Sequence, residues 1–290
     1  MPVMATSTHT QSVTPELRQW IVDQARAGHK PDVVLKSMTD SGWKEDVAIA
    51  ALEEALHGFL KDHAKANGLP EPSIVPEPLL LDSPSSILAG DREVRVLLQM
   101  RNPRVVVFGG FLSDAECDEM VTLSGPRMKR SETVDIKTGG SEVHDARTSR
   151  GMFFERGETP LIRRIEARIA ALLNWPLENG EGLQVLHYLP GAEYKPHYDY
   201  FDPAQPGSTP ILKRGGQRVG TLLMYLNTPL AGGGTTFPDV NLEVAPIKGN
   251  AAFFSYDRPH AMTRSLHGGA PVIRGEKWVS TKWLRQGRFV

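Results

Sequence analysis

The pair His197 and Asp199 carries the strongest chemical signal in the chain. The two residues fall in a predicted strand, where positions i and i+2 point to the same face. A second histidine, His267, lies far downstream, and Lys277 follows it after ten positions. Two imidazoles and one carboxylate on one face of a metal are the ligand set of non-heme Fe(II) oxygenases, which keep the other coordination positions open. The pattern predicts an iron oxygenase.

Lys277 indicates which cosubstrate such a centre would use. Three open positions on iron can accept the 2-oxo group and adjacent carboxylate of 2-oxoglutarate and still leave one for dioxygen. The distal carboxylate of 2-oxoglutarate needs a cation, because a buried unpaired charge is costly. His260 is a rival third ligand, but no lysine follows it after ten residues, and Arg258-Pro259 before it favours a loop.

Composition narrows the class of protein. Lys and Arg number 33 against 34 Asp and Glu, so neither nucleic acid nor an anionic membrane is predicted as a partner. The single cysteine, Cys117, excludes an intrachain disulfide and fits a reducing compartment. The polar first 13 residues lack the apolar core of a signal peptide, and no run approaches the roughly 18–20 apolar residues of a membrane span. We therefore expect a soluble cytoplasmic protein.

The N-terminal quarter has helical periodicity. Thr14 before a proline predicts the start of a first helix, Pro31 that of a second, and residues 44–67 form a third that stops at Gly68. The size and pattern of residues 14–68 resemble a small UBA-type three-helix bundle. This module either binds a protein partner or serves as a packing appendage.

Prolines divide the chain after this module. Residues 69–86 hold five of them and predict an extended linker, which leaves 87–290 as the catalytic domain. That domain contains a buried strand at 104–108 and two helices, which begin at Ser113 and Thr159.

The rest of the catalytic domain alternates short strands with turns. This pattern predicts a mainly β fold with flanking helices, a jelly roll (double-stranded β-helix) whose mouth can hold a small cosubstrate. The predicted strands are 183–188, 193–201, 218–226, 235–237, 242–244, 251–256, 261–267 and 277–284. Residues 207–216, rich in Gly and Pro, predict a mobile lid.

A series of ordered motifs resembles one enzyme family from about Arg104 to the C-terminus. The motifs are FLS at 111–113, RTS at 147–149, ENGEGLQVLHY at 178–188, HYDYF at 197–201, GQR at 216–218, GGGT at 232–235, LHGG at 266–269, GEKW at 275–278 and TKW at 281–283. They are similar to those of the prolyl 4-hydroxylase family of 2-oxoglutarate and Fe(II)-dependent dioxygenases. The resemblance implies hydroxylation of peptidyl proline at C4, with succinate and carbon dioxide as co-products and ascorbate to rescue oxidised iron.

The resemblance also implies roles for single residues. His197, Asp199 and His267 would bind iron. Lys277 would bind the distal carboxylate of 2-oxoglutarate, to which two hydroxyls would also donate; these belong to Tyr188 and Thr235. Five residues would line the groove for a proline-containing protein or peptide, namely Arg147, Ser149, Glu181, Arg218 and Trp283. Two alternatives stay open: a hydroxylase of a free amino acid or other small molecule, and an inert barrel beside a partner-binding module.

Overall fold

The computed structural model describes residues 11–80, 82–130, 133–134, 141–142 and 148–290. The chain divides into two compact units, Met1–Pro72 and Ser73–Val290. The helices are α1 (Pro15–Arg26), α2 (Pro31–Asp40), α3 (Glu45–Ala66), α4 (Asp114–Ser124), α5 (Pro160–Leu173) and α6 (Ser208–Leu212). Among the described residues, no helix combines the length and apolar character needed to cross a bilayer.

The first unit is a three-helix bundle, as the sequence predicts. The Thr14 hydroxyl accepts from the Leu17 amide and so caps α1, which satisfies one of the free N–H groups at the helix start. One apolar cluster joins the three helices, with Ile21, Met38 and Leu52 among its buried members. Burial of this shared face stabilises helices that would be marginal alone.

The second unit is built from antiparallel strands. They are β1 (Ser86–Ala89), β2 (Arg92–Met100), β3 (Arg104–Gly109), β4 (Lys129–Arg130), β5 (Thr133–Val134), β6 (Ser141–Glu142), β7 (Arg150–Phe154), β8 (Leu183–Tyr188), β9 (Tyr194–His197), β10 (Arg218–Tyr225), β11 (Ala231–Gly232), β12 (Thr235–Phe237), β13 (Leu242–Val244), β14 (Ala251–Ser255), β15 (His267–Gly269), β16 (Val272–Arg274) and β17 (Lys277–Arg285).

Two of the sheets form the jelly roll. The major sheet has the order β1-β2-β3-β14-β10-β17-β8-β7-β4, and the minor sheet has the order β13-β12-β15-β9. Alternate residues of β10 enter different cores: Leu222 packs with α4 and α5, whereas Tyr225 packs with Phe237 of the minor sheet. The major sheet is therefore buried on both faces, and its inner face looks toward the minor sheet.

The helices α4 and α5 begin where local chemistry predicts. Ser113 and Glu116 form a reciprocal capping box at α4, and the Thr159 hydroxyl accepts from the Ile162 amide at α5. Both helices pack on the outer face of the major sheet. An ion pair joins helix α5 to the major sheet, because the buried Lys282 ammonium of β17 lies 2.6 Å from the Glu166 carboxylate.

The predicted linker, 69–86, is split by the boundary between the units. The described residues of its second half, 73–80 and 82–85, form neither helix nor strand, but Pro76 and Pro78 are buried. The Ser73 amide donates to the Asp257 carbonyl, and Glu77 pairs with Arg104. From Ser73 onward the segment therefore packs as part of the second unit, earlier in the chain than the predicted start at residue 87.

Two strand predictions are wrong. The strand predicted at 193–201 ends at His197, and farther along, the Phe201 amide and carbonyl both bond to the Gln217 side chain instead of a neighbouring strand. The strand predicted at 261–267 is a 3-10 turn capped by the His260 ring. Arg264 then takes a left-handed conformation (φ 50°), so pairing starts only at His267.

The segment 207–216, predicted as a lid, contains α6. The Arg214 side chain donates to the Val290 carbonyl, and the Gly287 amide donates to Gly215. These bonds join the end of the segment to the C-terminus, while opening and closing stays a prediction.

Candidate active site

His197 and His267 are direct cross-strand partners in the minor sheet. They lie opposite each other in the antiparallel register of β9 and β15, and their ring centroids are 4.4 Å apart. Residues opposed in such a pair project from the same face of the sheet. The minor sheet thus brings together two imidazoles that are seventy positions apart in sequence.

Asp199 reaches the same point from a bend rather than from the strand. Its Oδ1 atom lies 3.6 Å from Nε2 of His197, and its Oδ2 atom lies 3.5 Å from Nε2 of His267. One ligand atom from each residue lies within 4.8 Å of the others. The prediction that the three side chains converge is confirmed, although the strand geometry used to predict it is not what positions the carboxylate.

Backbone carbonyls set the orientation of both imidazoles. Nδ1 of His197 lies 2.9 Å from the Lys195 carbonyl, and Nδ1 of His267 lies 3.0 Å from the Ser265 carbonyl. A carbonyl only accepts, so each Nδ1 carries a proton, and Nε2 is the atom that can offer a lone pair to a metal. Burial lowers the pKa of His267 to about 4, which keeps that ring neutral.

The Asp199 carboxylate is held in its charged form. Burial by itself would raise its pKa, but the neighbouring His267 and His197 rings and Arg218 lower it on balance. The Thr221 hydroxyl of β10 donates to Oδ2 at 2.7 Å. Two imidazoles and one carboxylate form a donor set that suits a divalent transition metal.

Lys277 extends from the major sheet into the cavity that these three residues line. Its side chain is only 4% exposed, and burial lowers its pKa to about 8 despite some compensation from the Glu243 carboxylate. Lys277 of β17 and Tyr188 of β8 are opposite each other in the antiparallel register, and the ammonium lies 5.5 Å from the centroid of the Tyr188 ring. Among the described residues, no carboxylate lies within ion-pair distance of it. A buried cation without a counter-ion favours an anionic ligand.

Two hydroxyls face the same cavity. The Thr235 hydroxyl accepts from the Tyr225 phenol at 2.8 Å, which leaves the threonine proton free to donate elsewhere. Tyr188 also lines the cavity, whose empty volume is about 450 Å³. One ammonium and two hydroxyl groups can therefore meet one carboxylate at this end of the cavity.

An ionic cluster of Glu181, Arg218 and Arg285 lies next to Trp283, which lines the cavity. The Glu181 carboxylate accepts two bonds from Arg218, at 2.7 and 3.0 Å, and one from Arg285 at 2.7 Å. Burial by itself would raise the Glu181 pKa, but the two guanidinium groups lower it on balance. Arg218 lies over the Trp283 ring, 3.9 Å from its centroid.

The predicted site residues divide into three groups. Seven line the cavity: His197, Asp199, His267, Lys277, Tyr188, Thr235 and Trp283. Glu181 and Arg218 lie behind Trp283, and Ser149 is buried immediately before β7. Arg147 lies outside the described residues. Sequence reasoning missed Thr221, Tyr225 and Arg285, although Thr221 stands out as a lone hydroxyl among Val219, Leu222 and Leu223.

Comparison with known proteins defines the class first. Residues 183–285 match the model of the 2OG-Fe(II) oxygenase superfamily. This segment includes the three converging side chains and Lys277. The chain is therefore a 2-oxoglutarate and Fe(II)-dependent oxygenase, an oxidoreductase.

Individual relatives narrow the class to one family. Probable prolyl 4-hydroxylase 3 of Arabidopsis thaliana is 43% identical in an alignment 221 residues long, which covers 69% of this chain and 75% of that protein. Prolyl 4-hydroxylase 5 of the same plant is 42% identical over 69% of this chain and 74% of its own length. A solved viral collagen prolyl hydroxylase from Paramecium Bursaria Chlorella virus-1 is 31% identical, with a TM-score of 0.48 over 62% of this chain and 95% of that one. On the identity and coverage of the two plant relatives, the chain belongs to the prolyl 4-hydroxylase family.

Proposed function

We propose that this protein hydroxylates peptidyl proline at C4 and converts 2-oxoglutarate to succinate and carbon dioxide. The observation that carries the proposal is the convergence of His197, Asp199 and His267 in one cavity with the buried cation of Lys277. Relatives named prolyl 4-hydroxylase that match across most of their length support proline as the target.

His197, Asp199 and His267 would hold the iron. Both Nε2 atoms face the Asp199 carboxylate, at 3.6 and 3.5 Å from its oxygens. Bound Fe(II) would supply the activation of dioxygen, coupled to oxidative decarboxylation of 2-oxoglutarate. The aromatic rings of Tyr194 and Phe254 pack against the two imidazoles, with ring centroids 3.7 and 4.5 Å away, and so limit their movement.

Lys277, Tyr188 and Thr235 would bind the distal carboxylate of 2-oxoglutarate. The ammonium neutralises the charge, and the hydroxyls satisfy the remaining oxygen lone pairs. Tyr225 donates to Thr235 and so leaves the threonine proton directed to the ligand. These residues orient the cosubstrate without taking part in bond cleavage.

The substrate groove would begin at Trp283, which lines the cavity. Its ring offers an apolar platform for a proline side chain, and Arg218 with Glu181 fixes that ring from behind. Arg147 and Ser149 would also line the groove, a role that rests on the family resemblance of the sequence motifs.

Three additional features belong to the proposal. Ascorbate would restore iron that oxidises without substrate turnover, as in the family that the motifs resemble. A reducing, cytoplasmic location is supported by the single cysteine, Cys117, which is buried and free. The three-helix bundle would bind a protein partner and bring it to the catalytic unit.

Mass spectrometry of synthetic peptides tests the reaction directly. With iron, 2-oxoglutarate and ascorbate, a proline-containing peptide should gain one oxygen atom. If both C4 hydrogens are replaced by deuterium, hydroxylation at C4 must remove one deuterium, whereas attack at C3 would leave both. A matched reaction with free proline distinguishes the small-molecule alternative: oxygen gain by free proline but by no peptide would overturn the peptidyl assignment.

The affinity for 2-oxoglutarate should fall as pH rises above about 8. Lys277 has a pKa near this value in the free site, so higher pH leaves a neutral amine that cannot pair with the carboxylate. The dissociation constant should rise by up to about tenfold per pH unit, the limit for loss of one proton. Calorimetry with a redox-inert divalent metal in place of iron measures this. An affinity that stays constant from pH 7 to pH 9 would contradict the role of Lys277.

A further inference from the structure

A second hydroxyl pair lies beneath Asp199, on the inner face of the major sheet. The Thr221 hydroxyl is 2.7 Å from Oδ2 of Asp199, and the Tyr256 phenol is 2.9 Å from the Thr221 hydroxyl. Both side chains are buried, at 0% and 2% exposure. Neither was predicted from sequence, and neither lines the cavity.

The donor and acceptor roles in this series of hydrogen bonds follow from Asp199, the acceptor at its end. An ionised carboxylate only accepts, so Thr221 must donate its proton to Asp199. The Thr221 oxygen then accepts from Tyr256, whose phenol stays protonated at neutral pH. The hydrogen bonds run one way, from Tyr256 through Thr221 to Oδ2 of Asp199.

The position of Thr221 in the sheet limits the movement of these hydrogen-bonded side chains. Thr221 is on β10, a central strand, and it pairs with Phe254 on one side and with Trp283 on the other. Asp199, by contrast, lies in a bend without strand pairing. The guanidinium of Arg218 holds the Asp199 backbone carbonyl at 3.5 Å. The carboxylate of a loop residue is thus held by groups of a rigid sheet.

We propose that Tyr256 and Thr221 are positioning residues that hold Oδ2 of Asp199 and so fix the orientation in which this carboxylate would meet a metal. This inference rests on the proposed metal site. A carboxylate free to rotate would spend part of its time in orientations that bind a metal less well. The two hydroxyls keep it in one orientation.

Metal binding without cosubstrate or peptide tests this role. Thr221→Val keeps the shape of the side chain but cannot donate, and it should weaken Mn(II) binding by about tenfold to a hundredfold, as for other groups that orient a ligand. Tyr256→Phe should weaken it about threefold to tenfold, because the Thr221 oxygen loses the hydrogen bond that holds it in place. The double variant should bind Mn(II) no more weakly than Thr221→Val alone, since Tyr256 acts only through Thr221.

Three controls separate positioning from a general loss of structure. Thr221→Ser restores the donor and should return Mn(II) affinity to nearly that of the unmodified protein. Ser280→Ala removes a buried hydroxyl that has no hydrogen-bond partner in the described structure, and it should leave metal affinity unchanged. The absorption spectrum of bound Co(II) should change in Thr221→Val, because the spectrum reports the number and geometry of the ligands.

The outcomes distinguish this inference from the proposed function. If the unmodified protein binds no divalent metal, the proposed function fails. If it binds Mn(II) but Thr221→Val binds equally well, or if the effects of the two variants add fully, the positioning role is overturned. If Thr221→Val does not fold, Tyr256→Phe decides the question by the same measurement.

Discussion

Replacing His267 by alanine is expected to lower 2-oxoglutarate-dependent succinate release more than about a hundredfold, beyond the loss typical of groups that only orient a ligand. The physical reason is the loss of one of three donor atoms that lie within 4.8 Å of one another. With two donors left, the site holds a divalent cation weakly. Succinate can be measured by chromatography, with and without a proline-containing peptide.

His260→Ala is the matched control for this prediction. His260 lies seven residues earlier in the chain, and its ring caps a 3-10 turn by accepting from the Met262 amide. Its removal costs a capping bond but no metal ligand, so succinate release should stay close to that of the unmodified protein. If the His267→Ala protein released succinate as fast as the unmodified protein, a metal centre that includes His267 would be contradicted.

Replacing Lys277 by methionine should raise the KM for 2-oxoglutarate by about two orders of magnitude or more, because removing one partner of a buried ion pair costs about 3–5 kcal/mol. The cosubstrate carboxylate would enter a cavity whose cation is gone. The iron ligands remain in place, so divalent metal should still bind with unchanged affinity. Initial rates of succinate formation over a range of 2-oxoglutarate concentrations give the KM.

The same substitution should stabilise the cosubstrate-free protein. The pKa of Lys277 is about 8 in the folded chain and 10.5 for an ordinary lysine, which corresponds to a cost on the order of 3 kcal/mol for burying the charge at neutral pH. Because the folded pKa is the lower one, the unmodified protein should gain stability as pH rises from 8 toward 10.5, and the variant should not. Thermal denaturation measures both effects.

Lys248→Met serves as the lysine control, since Lys248 forms a surface pair with Asp118 away from the cavity. Surface pairs contribute little, so both the KM and the thermal midpoint should stay near those of the unmodified protein. A KM for 2-oxoglutarate that Lys277→Met leaves unchanged would show that another group binds the distal carboxylate.

The parts of the fold that sequence reasoning predicted depend on local chemistry. The capping box of Ser113 and Glu116 sets the start of α4 because both of its hydrogen bonds join residues three apart. Strand β8 was predicted at its observed bounds, since its apolar run is buried on both sheet faces. Strands β2 and β7 were missed: they lie toward the sheet edges, and their charged residues mask the apolar alternation.

The errors around the site arise from long-range contacts. Sequence predicted a strand through Asp199 to Phe201, whereas Asp199 lies in a bend and the backbone of Phe201 bonds to the side chain of Gln217. This hydrogen-bond partner is sixteen residues away in sequence, and no periodicity within the predicted strand could indicate it. The convergence of the ligands was still predicted correctly, because the types of donor and the following lysine are properties of the residues themselves.

The sequence by itself determined which groups could do chemistry in this protein: two histidines, one aspartate and a distal lysine, in motifs that resemble one enzyme family. Only the tertiary structure decided how these groups are oriented and charged. The low pKa of Lys277 requires the apolar surroundings that the two sheets create together. The proton directions at Thr221 and Thr235 require Asp199 and Tyr225, which the fold brings alongside them from other parts of the chain. Charge and hydrogen bonding depend on neighbours in space, and those neighbours exist only once the sheets have paired.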